Sequence, residues 1–290
     1  MDRTKAIACL TALVCAACSH QPTIVVGSKN FTEQVLLGEI LAQQIERRMP
    51  VRVERKLNLG GILLTHEALV KGDIDLYPEY TGSALTTVLK QAAISDAAAA
   101  LNAVRTRYRS QWNLDWLDPL GFDNTFAMIV KGEEARKNHI ATLSDAARAH
   151  AWHLGIGYEF AQRPDGLDGL MKNYNLHAAA APVSMDLGLL YQALEHDRVD
   201  MIAASSTDGM IAKLDVAILQ DDLHYFPAYQ CAVVVREQTL AQFPQLRAAL
   251  QELSGKFTDA AMRRLNAAVD VDHRSAVQVA AEFLRTVAVK

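Results

Sequence analysis

The sequence predicts an α/β protein of two lobes, each a sheet covered by helices. Three observations carry that prediction. Short apolar strands alternate with amphipathic helices from Ile24 to Tyr77, in the order β-α-β-α-β, which favours a parallel sheet with helical cover. The alternation resumes after Asn124 and runs to Ala204. The last fifty residues carry helical patterns instead.

Each element has a local reason. Ile24-Val25-Val26 reads as a short buried strand. Thr32 fits an N-cap, and Val35, Leu36, Ile40, Leu41 and Ile45 repeat at helical spacing. Val51 to Leu57 alternates as a strand. Gly60-Gly61 breaks it and opens a helix that ends near Lys71. Ile74 to Tyr77 is the next strand, followed by a helix from Ser95 to Arg109; the Ala97–Ala100 run is a good helix former. Beyond Asn124, Phe126 to Val130 and Trp152 to Gly157 read as strands, with Ser144 capping the helix between them. Asp186 to His196 is helical, and Val199 to Ala204 and Cys231 to Val235 are strands. Leu240, Leu246, Leu250, Leu253, Met262, Leu265, Phe283 and Leu284 give the terminal helices their apolar faces.

Trp112 to Phe122 leads out of the first lobe, and Phe226-Pro227-Ala228-Tyr229 leads back. The expected division is 23–124 plus 231–290 for lobe I and 125–230 for lobe II. Ligands of such sheets sit beyond the carboxyl ends of strands, often between domains.

The N-terminus reads as an export signal over residues 1–18. Arg3 and Lys5 start it, and the apolar run Ala6–Ala17 is too short for a bilayer, which needs roughly 20 residues. Cys18 directly follows Ala16-Ala17 and resembles the lipidated cysteine of a bacterial lipobox, although Cys15 stands where Leu is usual. An ordinary signal cut near Ala17 is the alternative. Cys9, Cys15 and Cys18 lie in the signal, so Cys231 is the one cysteine left for the body of the chain. It can build neither a disulfide framework nor a cysteine metal site and reads as a small core residue.

Half the residues are apolar, enough for a large core, and the net charge of −4 is mild. No basic stripe is present, which argues against nucleic acid as a partner. A Gly-x-Ser-x-Gly elbow, a His-Glu-x-x-His pair and a phosphate loop are all missing. The nine histidines are scattered; His66, His139, His150 and His177 fall where exposure is the default.

Two segments that end strands of the first sheet stand out. Gly27-Ser28-Lys29-Asn30-Phe31-Thr32-Glu33-Gln34 and Gly72–Ser83 put a cation, short hydroxyls and a tyrosine on one cleft. That set suits a small zwitterion with an alkylated cation and a carboxylate. Asn58-Leu59-Gly60-Gly61, Gly121–Thr125, Glu159–Gly166, Met185–Tyr191, Ser206–Gly209, Asp221-Asp222 and Phe226–Tyr229 complete an ordered series of motifs. With them the chain resembles the solute-binding proteins of osmoprotectant ABC transporters, which capture glycine betaine, choline, carnitine and related quaternary ammonium compounds.

The resemblance implies a two-lobe periplasmic-binding-protein fold of type II, closing on its ligand. It implies a cage of aromatic faces around the cation. Tyr80 and Tyr229 stand at cage positions, and Phe126 stands where the family usually has Tyr. Ser205 occupies the fourth position without a ring, so a wider pocket could admit a bulkier betaine such as carnitine or ergothioneine. The backbone carbonyl of Asn124 would also face the cation. The carboxylate would meet Lys29, Ser83 and Arg163, with Gln34 as a further candidate. The resemblance also implies an ABC permease as partner, no cofactor, a monomer, and membrane attachment only through lipid on Cys18. A sensor module and an enzyme are the competing classes.

Plainer roles compete at single residues. Lys29 could be a solvated surface charge, and Tyr80 and Tyr229 core or rim aromatics. Arg163 could pair with Glu159 or Asp165, and Asp208 could cap the turn at Gly209. Asp75, Glu79, Asp221 and Asp222 read as structural.

Overall fold

The computed structural model describes residues 22–163 and 165–287. The segment read as an export signal, 1–18 with Cys18, lies outside the described residues.

In the first lobe, β1 (Thr23–Gly27), β2 (Arg52–Lys56) and β3 (Leu76–Tyr80) run parallel, linked by α1 (Thr32–Arg48) and α2 (Ile62–Lys71). Two further strands join the sheet, and one of them, running against the rest, makes it mixed rather than parallel throughout. β4 (Leu114–Trp116) forms within the segment read as a connection. β10 (Cys231–Arg236) returns from the second lobe and runs antiparallel between β3 and β4, with Cys231 opposite Tyr80. Cys231 is fully buried at that join.

The second lobe is also a five-stranded mixed sheet. Its strands are β5 (Phe126–Lys131), β6 (Leu154–Gly157), β7 (Val183–Met185), β8 (Met201–Ser205) and β9 (Val216–Ile218), in the order β7-β6-β8-β5-β9. β7 and β9 are three residues each, too short to show a period of two. Two apolar clusters cover the faces of each sheet.

Three local expectations change. Thr32 does not cap α1: Phe31 holds the cap position, and the Thr32 hydroxyl donates to Asp270 at 2.6 Å. Ser144 does not cap its helix either. Thr142 does, in a reciprocal box with Asp145, while the Ser144 amide is held by Asp222. His66 is buried, because the edges of Tyr108 and Trp112 pack on it at 5.2 and 4.5 Å between centroids.

Two antiparallel segments join the lobes. Asp123 bridges to Gln230, and the Asn124 amide donates to the Tyr229 carbonyl at 3.2 Å. A third connection comes from the helix Asp259–Asp270. It belongs to the C-terminal region, yet Arg263 donates to the Ser206 carbonyl at 2.7 Å and Asn266 to the Thr207 carbonyl at 2.9 Å. A Cβ on Gly209 would lie 2.6 Å from the Ala267 amide nitrogen, so only glycine admits this approach.

Candidate functional site

The carboxyl ends of β1, β3 and β8, the start of β5 and the two connecting segments surround one cleft of about 770 Å³. Lys29, Tyr80, Ser83, Asn124, Phe126, Arg163, Ser205 and Tyr229 all line it. Gln34 does not. It is fully buried behind Lys29, whose amide donates to its Oε1 at 3.4 Å.

The aromatic side chains are fixed from behind. Tyr80 closes β3 and donates its hydroxyl to Glu33 at 2.6 Å. Tyr229 packs over Gly82, where a Cβ would fall 2.7 Å from two ring carbons. Phe126 meets Tyr229 edge-on at 6.4 Å and leans on Phe160 and Phe226 at 4.9 and 6.1 Å. Ser205 lies opposite Phe126 in register, and its hydroxyl donates to the Asn124 side-chain carbonyl. The Asn124 amide in turn donates to Glu33 at 2.8 Å, so its side chain is committed between the lobes.

The cationic groups are paired within the chain. Lys29 is 2% exposed and bound to Glu79, which is 0% exposed and also accepts from the Tyr77 hydroxyl at 3.0 Å. The Lys29 ammonium sits 4.4 Å from the Tyr80 ring centroid. Arg163 turns both prongs on Asp165 at 2.8 Å, donates to the Tyr229 hydroxyl at 2.7 Å, and lies 5.2 Å from the Phe126 centroid. The Tyr229 hydroxyl also donates to Asp165. Burial pushes the Asp165 carboxyl up, but the hydrogen bonds from Arg163 and Tyr229 prevail and hold it below the usual range. Burial pushes the Tyr229 hydroxyl up, so it stays protonated.

The remaining acids have local duties. Asp75 accepts from Val25 and Thr239, and Asp208 from Met210. Asp221 accepts from Tyr225 and Phe226.

Sequence reasoning passed over four features. Phe31 is 41% exposed on the rim and stacks on Tyr80 at 6.4 Å. Its place beside Lys29 in the first motif was the available signal. Leu63 and Leu64, exposed at the start of α2, line the same side of the cleft. Glu33 gave no signal, since a lone acid in a first helical turn reads as a favourable dipole partner. A break of helical spacing at Ala84–Val88, a π-helical turn, follows Ser83 and presents Thr86 and Thr87 to the cleft. Among the described residues no cluster of His, Cys, Asp and Glu could hold a metal, and no helix is long and apolar enough to cross a membrane.

Two lobes joined by antiparallel segments, with aromatic rings and paired charges in the cleft between them, define a two-lobe ligand-binding protein. The chain matches, over residues 22–286, the family model described as the substrate binding domain of ABC-type glycine betaine transport system, and it belongs to that family. It is 35% identical over 295 residues to a glycine-betaine-binding protein of Pseudomonas aeruginosa, covering 98% of this chain and 93% of that one. It is 34% identical over 267 residues to the ergothioneine transport permease/ergothioneine binding protein EgtU of Helicobacter pylori. That match takes in 91% of this chain and spans about half of the relative's length, 48%. A solved structure described as a glycine betaine/carnitine/choline ABC transporter superposes with a TM-score of 0.84 at 32% identity, covering 91% of this chain and 98% of that one. The protein is thus a substrate-binding protein of the ABC-importer type, a class that meets its ligand outside the cytoplasmic membrane.

Proposed function

We propose that the cleft captures a small zwitterion carrying a quaternary ammonium and a carboxylate, and delivers it to an ABC permease. The supporting observation is the convergence of Tyr80, Phe126 and Tyr229 on one cleft that already brings a guanidinium to a ring face, Arg163 at 5.2 Å from Phe126. A poorly hydrated cation is attracted to such faces. The ammonium sits among these rings, near Asn124 and Ser205. The carboxylate turns toward Arg163 and Ser83, with Lys29 beneath. To bind it, Arg163 gives up part of its contact with Asp165.

Glycine betaine is one occupant. A bulkier betaine, such as carnitine or ergothioneine, is the second reading. It is favoured by the ringless Ser205 and by the exposed apolar rim of Phe31, Leu63 and Leu64. The protein acts as a monomer held at the membrane by lipid on Cys18, and the ligand leaves unchanged. Calorimetry of the purified protein with glycine betaine, carnitine, choline and ergothioneine tests the reading, with thermal shift as a second measure. Saturating one site at 100 times its dissociation constant adds about 2.7 kcal/mol to stability. No binding of any of the four, or recovery of a chemically altered ligand, would refute it.

A further inference from the structure

The charges under the cleft do not balance. Lys29 is paired with Glu79 and Arg163 with Asp165. Glu33 is 3% exposed, and no Lys, Arg or His among the described residues forms an ion pair with it. Its partners are neutral. Oε1 accepts from the Tyr80 hydroxyl at 2.6 Å and the Asn124 amide at 2.8 Å, and Oε2 from the Asn266 amide at 2.8 Å. The Thr207 hydroxyl also bonds to it.

Two features support the ionised form at this position. A carboxylate only accepts, and the groups around it present donors. Glu33 also lies in the first turn of α1, where free backbone N–H groups favour negative charge. Burial works against both and raises the carboxyl above its usual range. Asp208, near enough to interact with Glu33, adds no positive charge and is occupied in capping the turn Gly209–Ala212. A buried carboxylate without a cation is costly, so a partner that arrives from outside would relieve it.

We infer that Glu33 is the counter-charge of the cleft, a positioning residue whose carboxylate, one hydrogen bond behind the Tyr80 ring and the Asn124 amide, selects a cationic ligand over an uncharged one of the same shape. The inference rests on the betaine reading of the cleft. Glu33 does not touch the ligand. It acts across the Tyr80 ring, because accepting the phenol's hydrogen bond makes the ring face more negative, and by its own charge at short range. The Lys29 ammonium also lies 4.4 Å from the Tyr80 ring centroid but is bound to Glu79, so the ligand's ammonium is the cation that Glu33 lacks.

The test uses three probes: glycine betaine, choline, and 3,3-dimethyl-1-butanol, in which carbon replaces the choline nitrogen. Wild type, Glu33→Gln and Glu33→Asp are titrated by calorimetry, and the unfolding temperature of each is measured without ligand. Glu33→Gln is expected to weaken choline and glycine betaine by about tenfold or more, the scale of one charge acting across several ångströms at an effective dielectric of about 20. It should leave the uncharged probe unaffected and should not lower the unfolding temperature. Glu33→Asp, which keeps the charge, should retain more of the preference for choline over its uncharged isostere. Unchanged affinities would overturn the inference, as would equal losses for choline and the isostere, or losses that track a lowered unfolding temperature. Wild-type protein that binds neither glycine betaine nor choline overturns the betaine reading, and the inference with it.

Discussion

Arg163 donates a 2.7 Å hydrogen bond to the hydroxyl of Tyr229, so the ring proposed for the cation and the guanidinium proposed for the carboxylate form one unit. The family resemblance implies that they meet opposite ends of the ligand. In the folded protein, Asp165 binds both and locks them together.

That coupling bears on the Tyr229 variants. Tyr229→Ala should weaken binding of a quaternary ammonium ligand by about 2 kcal/mol, or about 30-fold, through loss of the ring face. Tyr229→Phe should cost less, but more than nothing, because Arg163 and Asp165 lose a shared partner. Calorimetry giving equal losses for the two variants would count against a ring-face role.

Arg163→Ala should penalise glycine betaine and carnitine more than choline, which has no carboxylate. A hydrogen bond to a charged group contributes about 1.5–3 kcal/mol. Equal losses across the three ligands would make Arg163 a partner of Asp165 alone.

Lys29 is set apart by its burial against Glu79. Lys29→Ala would leave Glu79 buried without its cation, and breaking such a pair typically costs about 3–5 kcal/mol. Denaturant unfolding without ligand should therefore register a large loss. Full stability with lost affinity would mean that Lys29 serves the ligand rather than the fold.

Gly82→Ala should displace the Tyr229 ring, since the new methyl would sit 2.7 Å from two of its carbons. Overpacking of this kind costs about 1–3 kcal/mol. The loss should appear in ligand affinity as well as in stability. Wild-type affinity in this variant would show that the ring's position is unimportant.

Ser205→Tyr should tighten glycine betaine by about 0.5–2 kcal/mol and weaken bulkier betaines, because a fourth ring adds a face and removes volume. The change also gives up the hydroxyl's bond to Asn124, so the net gain should fall toward the low end of that range. Titration of both proteins with three betaines of increasing size reads the effect. Uniform changes along the series would show that Ser205 does not shape the pocket.

The sequence by itself determined the α/β class, the main strands and the motifs that bring Tyr80, Phe126, Arg163 and Tyr229 to one cleft. Those features are local: apolar period, glycine breaks and short ordered motifs are written in neighbouring residues. Tertiary structure alone decided which charges are free. Lys29 meets Glu79 across fifty positions, and Glu33 reaches Asn266 from the far end of the chain. It also decided that β10 runs antiparallel to β3, that Thr32 bonds Asp270 instead of capping α1, and that His66 is buried. Each depends on contacts between segments distant in sequence, and hydrogen bonding and burial are properties of those contacts, not of residue type.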